Sequence, residues 1–141
     1  MGRIMAIDYG KKRCGIAVTD PLKIIANALC TVDTAQLEKF VKDYVGKESV
    51  ETIVFGEPKQ VNGEESETMR SIKPLVERMR KALPAVKITF YDERFTTKLA
   101  LRTMIDGGLS KKGRNNKNGT LDKVSATIIL QSYMESTEYQ L

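Results

Sequence analysis

Ile4-Met5-Ala6-Ile7-Asp8-Tyr9-Gly10, followed by Lys11-Lys12-Arg13 and a second apolar run over residues 14–18, decides how this chain is read. An unbroken apolar run of this length reads as a buried strand. Gly10 and the three cations then read as the turn that returns the chain as a neighbouring strand. Asp8 is thereby set where a buried strand ends, beside positive charge. Such a carboxylate can hold a metal ion, hold a phosphate-bound metal, or cap the turn by accepting from backbone N–H groups.

Working outward, residues 3–8, 14–19 and 24–32 read as three strands joined by short turns, an antiparallel meander. Asp33 or Thr34 is expected to cap a helix reaching about residue 48, whose apolar positions Leu37, Phe40, Val41, Tyr44 and Val45 recur at helical spacing. Residues 52–55 form a short strand ending at Gly56-Glu57-Pro58, and a helix is expected over about 66–83 with Met69, Ile72, Val76, Met79 and Leu83 inside. Pro74 falls within that pattern and removes a ladder hydrogen bond, so a kink or break is expected there. Residues 86–91 read as a strand running into Asp92-Glu93-Arg94-Phe95-Thr96-Thr97, where Thr96 or Thr97 opens a helix to about residue 106. After Gly107-Gly108 and a basic loop, a last helix runs from Thr120 or Leu121 to about residue 134. Asp122 in its first turn also complements the helix dipole.

This order describes an α/β fold: a five-stranded mixed sheet, the first three strands antiparallel and the fourth and fifth parallel, with helices on both faces. In open α/β sheets ligands bind at the carboxyl ends of parallel strands, and Asp8 and Glu93 share that rim. Asp122 joins them if the last helix packs across the sheet, which Ser125, Ala126 and Ile129 at i+3, i+4 and i+7 suit. Carboxylates crowded together repel by about 4 kcal/mol per pair at about 4 Å and an effective dielectric near 20, so the cluster favours a divalent cation or proton uptake. Oxygen-only ligation suits Mg2+ or Mn2+.

Composition narrows the chemistry. Histidine is absent, which removes the commonest general base, the Ser-His and Cys-His pairs and imidazole-rich zinc sites. Cys14 and Cys30 lie in separate apolar runs and read as small core residues rather than a disulfide or zinc pair. The formal net charge is +5, and between Gly107 and Leu121 stand Lys111, Lys112, Arg114 and Lys117 without an acid. A chain of 141 residues suits one domain, residues 1–141, and at this size roughly 70% of the unfolded surface is buried. No basic leader precedes an apolar segment, and the longest uncharged stretches, 24–32 and 124–134, fall short of the roughly 20 residues that span a bilayer. A soluble cytoplasmic protein with no membrane partner is expected.

Four ordered motifs then match a known family: Asp8-x-Gly-Lys-Lys-Arg-x-Gly-Ile-Ala-Val-Thr-Asp20, Val54-Phe-Gly-Glu-Pro with Asn62-Gly63, Asp92-Glu-Arg-Phe-Thr-Thr97, and Asp122-Lys-Val-Ser-Ala126 with Ile128-Ile-Leu-Gln131. Over almost its whole length the chain resembles the YqgF proteins, described as Holliday junction resolvases and as pre-16S rRNA nucleases, which have the ribonuclease H-like fold. The resemblance implies that Asp8, Glu93 and Asp122 are the acidic active-site residues, holding one or two Mg2+ or Mn2+ ions for phosphodiester hydrolysis. Glu57 stands where the family usually has an apolar residue, and is a fourth ligand or a solvated loop carboxylate. Lys11, Lys12, Arg13 and Arg94 are candidates for phosphate contact, and Lys111, Lys112, Arg114 and Lys117 for an arm that tracks a strand of structured RNA or branched DNA. A monomer or weak homodimer is expected. Two other readings compete: a nucleic-acid-binding module without catalysis, and an actin-like nucleotide-binding domain, which lacks here the second lobe that closes over ATP.

Overall fold

A computed structural model describes residues 2–57, 67–92 and 120–138, with side chains in the last segment over 124–136. The strands are β1 (Arg3–Asp8), β2 (Arg13–Thr19), β3 (Ala26–Asp33), β4 (Val50–Glu57) and β5 (Lys87–Asp92). A 3₁₀ turn (Thr34–Gln36) leads into α1 (Leu37–Lys47), and α2 (Glu67–Ala82) and α3 (Thr120–Glu138) are the other described helices. The five strands form one sheet in the order β3-β2-β1-β4-β5. β1 pairs antiparallel with β2 and parallel with β4, β2 pairs antiparallel with β3, and β4 pairs parallel with β5. The mixed sheet expected from the element order is therefore the sheet observed.

The uninterrupted apolar run of β1 follows from its central place: Ile4, Met5, Ala6 and Ile7 are all buried because both faces of the sheet are covered. Met5, Ile7, Ile16, Ile53 and Phe55 face one layer, packed with Leu37 and Val41 of α1 and Ile72, Val76 and Met79 of α2. Ile4, Ala6, Ala17 and Val54 face the other, packed with Ala126, Ile129 and Leu130 of α3. Each fully buried Ile, Leu or Phe contributes about 1.5–3 kcal/mol. Alanines on both sides of the second layer let α3 lie close to the sheet.

Four local expectations are corrected. β4 is longer than residues 52–55 because it is paired on both sides, and its ladder with β5 extends to Glu57. β3 starts at Ala26 rather than at residue 24, since the N–H groups of Ile24 and Ile25 donate to the Asp20 carboxylate at 2.7 and 2.8 Å instead of to a strand. Of the kink or break expected at Pro74, the break does not occur: the proline sits on the exposed side of an uninterrupted α2. Neither Asp33 nor Thr34 caps α1 with its side chain: Asp33 makes no capping bond to the 3₁₀ turn, and the Thr34 hydroxyl donates to the Gly10 carbonyl. The expected helix from residue 96 or 97 to about 106, the basic loop, and the residues Asn62 and Gly63 lie outside the described residues. No described helix is long and apolar enough to cross a membrane.

Candidate active site

Asp8 ends β1, and its register partner on β2 is Gly15. On the other side Ile7 is level with Phe55, so one further step sets Asp8 beside Gly56. Neighbouring residues of β4 and β5 are also in register, Gly56 with Tyr91 and Glu57 with Asp92. The carboxyl ends of three adjacent parallel strands thus form one rim, carrying Asp8, Glu57 and Asp92.

Alternation along the strands sorts these acids by face. Asp8 has the parity of Ile4 and Ala6, which pack under α3, whereas Glu57 follows Ile53 and Phe55 on the side of α1 and α2. Asp92 follows Ile88 and Phe90 to that same side. Glu57 and Asp92 are therefore side-by-side neighbours on adjacent strands, about 4.8 Å apart in backbone terms, with Asp8 on the opposite face. Motifs alone do not single out Asp92 as a neighbour of Glu57; the signal for it is the register, which only the paired strands reveal.

α3 runs along Asp8's face. Met134 and Glu135, with Gln131, line a groove against Ile24, Ile25 and Ala26, at the sheet end remote from Asp8, since Ala26 pairs with Thr19 and Val18 with Met5. Ala126 is eight residues earlier, about 12 Å along the helix axis, and is fully buried in the layer with Ile4, Ala6, Ala17 and Val54. Asp122 is the third residue of α3. The Asp122 side chain, Glu93 and Arg94 lie outside the described side chains and residues.

The turn between Asp8 and β2 is tightly built. A Cβ on Gly10 would stand 2.4 Å from the Arg13 carbonyl oxygen, so only glycine fits. The Gly10 carbonyl accepts from the Thr34 hydroxyl at 2.6 Å, and the Lys12 carbonyl accepts from the Thr34 N–H at 2.9 Å. Lys11 and Lys12 are exposed at its tip, while Arg13 is half-buried at the start of β2, opposite Asp33 on β3. Tyr91, on Asp8's face of the sheet, has its hydroxyl pKa raised above 10.0 by burial, and further by the charges of Glu135 and Asp92. It stays protonated at neutral pH. Among the described residues no three Asp, Glu or Cys side chains form a group that could hold a metal ion. The donors available around this rim are nonetheless all oxygens, the set that suits a hard divalent cation.

The model of one family, RuvX: Holliday junction resolvase, matches residues 2–136. The chain belongs to the RuvX family. A relative from Phocaeicola vulgatus, named "Putative pre-16S rRNA nuclease", is 59% identical over 139 residues, covering 99% of both chains. One of the same name from Bacteroides thetaiotaomicron is 53% identical over 139 residues, covering 99% of this chain and 100% of its own. Among solved structures, RuvC from T. thermophilus in complex with a Holliday junction substrate superposes with a TM-score of 0.57 at 15% identity, covering 95% of this chain and 96% of that one. Fowlpox virus resolvase in complex with substrate Holliday junction DNA gives 0.56 at 18% identity, covering 96% and 98%. At these identities the two structures speak for the fold, and the ribonuclease H-like architecture of this RuvX-family chain agrees with the mixed sheet described above.

Proposed function

We propose that this RuvX-family protein is a metal-dependent nuclease that hydrolyses phosphodiester bonds of structured nucleic acid, with Asp8, Glu93 and Asp122 holding one or two Mg2+ or Mn2+ ions. What supports the reading is that Asp8 ends the central strand on the face of the sheet that α3 covers. Glu93 follows β5 directly and has the sequence parity of Tyr91, the residue of β5 that packs on Asp8's side. When bound, a divalent cation supplies Lewis acidity to the phosphate and lowers the pKa of the attacking water. The three carboxylates orient that centre, and in the hydrolysis water adds to phosphorus as the bond to the leaving oxygen breaks and that oxygen takes up a proton. Exposed Lys11 and Lys12 reach phosphates flanking the scissile bond, and Lys111, Lys112, Arg114 and Lys117 add strand contacts.

Relatives named for pre-16S rRNA processing make precursor rRNA the first substrate to test, and the family's resolvase description makes the four-way junction the second. A panel of precursor rRNA, four-way DNA and single-stranded DNA is incubated with Mg2+ or Mn2+, beside Asp8→Asn, Glu93→Gln and Asp122→Asn. Metal-dependent cleavage of a structured substrate, lowered at least about a hundredfold in each variant, is expected. Cleavage that survives all three substitutions refutes the assignment.

A further inference from the structure

β1 ends at Asp8 while β2 continues at its amino end beyond the last β1 pair, so the turn over residues 9–12 extends past the β1–β2 ladder. Two of its carbonyls are satisfied from β3's end instead. The bond from the Thr34 N–H to the Lys12 carbonyl continues the β2–β3 ladder one step beyond the Arg13–Asp33 pair, and the Thr34 hydroxyl reaches across to the Gly10 carbonyl at 2.6 Å. One residue thus grips both limbs of the turn. The grip is short for an O–H···O bond, and it falls on a position where the chain tolerates no side chain, since a Cβ at Gly10 meets Arg13. Beneath it the buried Cys14 thiol lies 3.4 Å from the Thr34 hydroxyl oxygen and 3.9 Å from the Gly10 carbonyl.

The Thr34 side chain therefore does not cap the helix it precedes, although its carbonyl accepts from the Leu37 N–H. We infer that Thr34 is a positioning residue for the nuclease reaction: its hydroxyl fixes the turn at Gly10, two residues after Asp8, and so sets the backbone from which Asp8 addresses the scissile phosphate. This rests on the nuclease reading above. A carboxylate displaced by as little as about 1 Å costs rate steeply, whereas exposed Lys11 and Lys12 reach phosphates on flexible stems in either turn geometry. Loss of the hydroxyl should consequently appear in kcat rather than KM.

Thr34→Val keeps the shape and removes the hydroxyl, and Thr34→Ser keeps the hydroxyl and removes the methyl. Two measurements are made on each full-length variant, backbone amide exchange over residues 9–13 and steady-state cleavage of the substrate that wild type cuts best. In Thr34→Val, exchange in the turn is expected to accelerate about fivefold, what the loss of one net hydrogen bond supplies, and kcat to fall about tenfold or more with KM within about twofold. Thr34→Ser is expected to restore both. Wild-type exchange and wild-type kcat in Thr34→Val overturn the proposal, as does a Thr34→Ser variant as impaired as Thr34→Val, which assigns the effect to methyl packing. Should wild type cleave nothing, the nuclease reading fails by itself and Thr34 has no reaction to position; accelerated exchange in Thr34→Val would then mark a structural clamp alone.

Discussion

Gly10 and Asp20 show how much a single residue decides in this chain. Gly10→Ala drives a methyl to 2.4 Å from the Arg13 carbonyl oxygen, a clash that only a backbone shift relieves. A loss of about 1–3 kcal/mol in urea unfolding is expected, together with loss of cleavage; a variant as stable and active as wild type contradicts the turn described. Asp20 accepts from the N–H groups of Leu22, Ile24 and Ile25, and those backbone bonds, that from Ile25 foremost, hold its carboxyl below the ordinary 3.8. A carboxyl lowered on folding stabilises above its unfolded pKa and ceases to as pH falls through its folded value. The melting temperature of Asp20→Asn should accordingly lie below wild type at neutral pH, and the gap should narrow below about pH 4. A gap independent of pH contradicts the bonding. Asp8 is legible in the sequence because an apolar run ends on it. The Asp20 bonds are not, since they reach two, four and five residues ahead through a loop in which Lys23 takes φ 61°.

At the scale of the element, periodicity locates both α1 and α2, but neither α1's start, which no Asp33 or Thr34 side chain caps, nor α2's continuity through Pro74 is read from it. A proline inside a helix costs about 3 kcal/mol. α2 buries Met69, Ile72, Leu75, Val76 and Met79 on both sides of that position, at about 1.5–3 kcal/mol each, so packing outweighs the missing bond. Propensity rules see the proline and not the sheet beneath it. Pro74→Ala restores the N–H on an exposed face and should raise stability by about 1–3 kcal/mol, the lower end where the freer unfolded chain offsets the gain. Equal or lower stability by urea denaturation contradicts an uninterrupted helix here. The ends of β3 and β4 are also beyond local reading, because pairing on one edge or both decides how far a strand extends.

For the whole molecule the decisive feature is a sheet covered on two faces, with its acids sorted by register. The rim is visible in the sequence, since Asp8 and Glu57 each end an apolar run, but the face is not: β4 is buried without a break from Thr52 to Gly56, and so shows no alternation from which Glu57's side could be read. Register settles that Glu57 and Asp92 are neighbours on the side of α1 and α2, while α3 covers Asp8's face. Ala126 of α3 is buried in one cluster with Ala6 and Ala17 of the sheet. Ala126→Leu should overpack that layer, lower stability by about 1–3 kcal/mol and reduce cleavage by displacing α3 from Asp8's face. Removing Lys111, Lys112, Arg114 and Lys117 together should leave the fold intact and flatten the salt dependence of nucleic-acid binding, by about one unit of log–log slope for each phosphate no longer neutralised.

The most direct test of the nuclease account is metal-dependent cleavage of precursor rRNA and four-way DNA by wild type and Asp8→Asn, with binding measured alongside. Asp8→Asn changes one charge at the end of the central strand and little else. Cleavage reduced at least about a hundredfold with binding retained is expected if Asp8 holds the metal. Wild-type cleavage rates in Asp8→Asn would contradict the account.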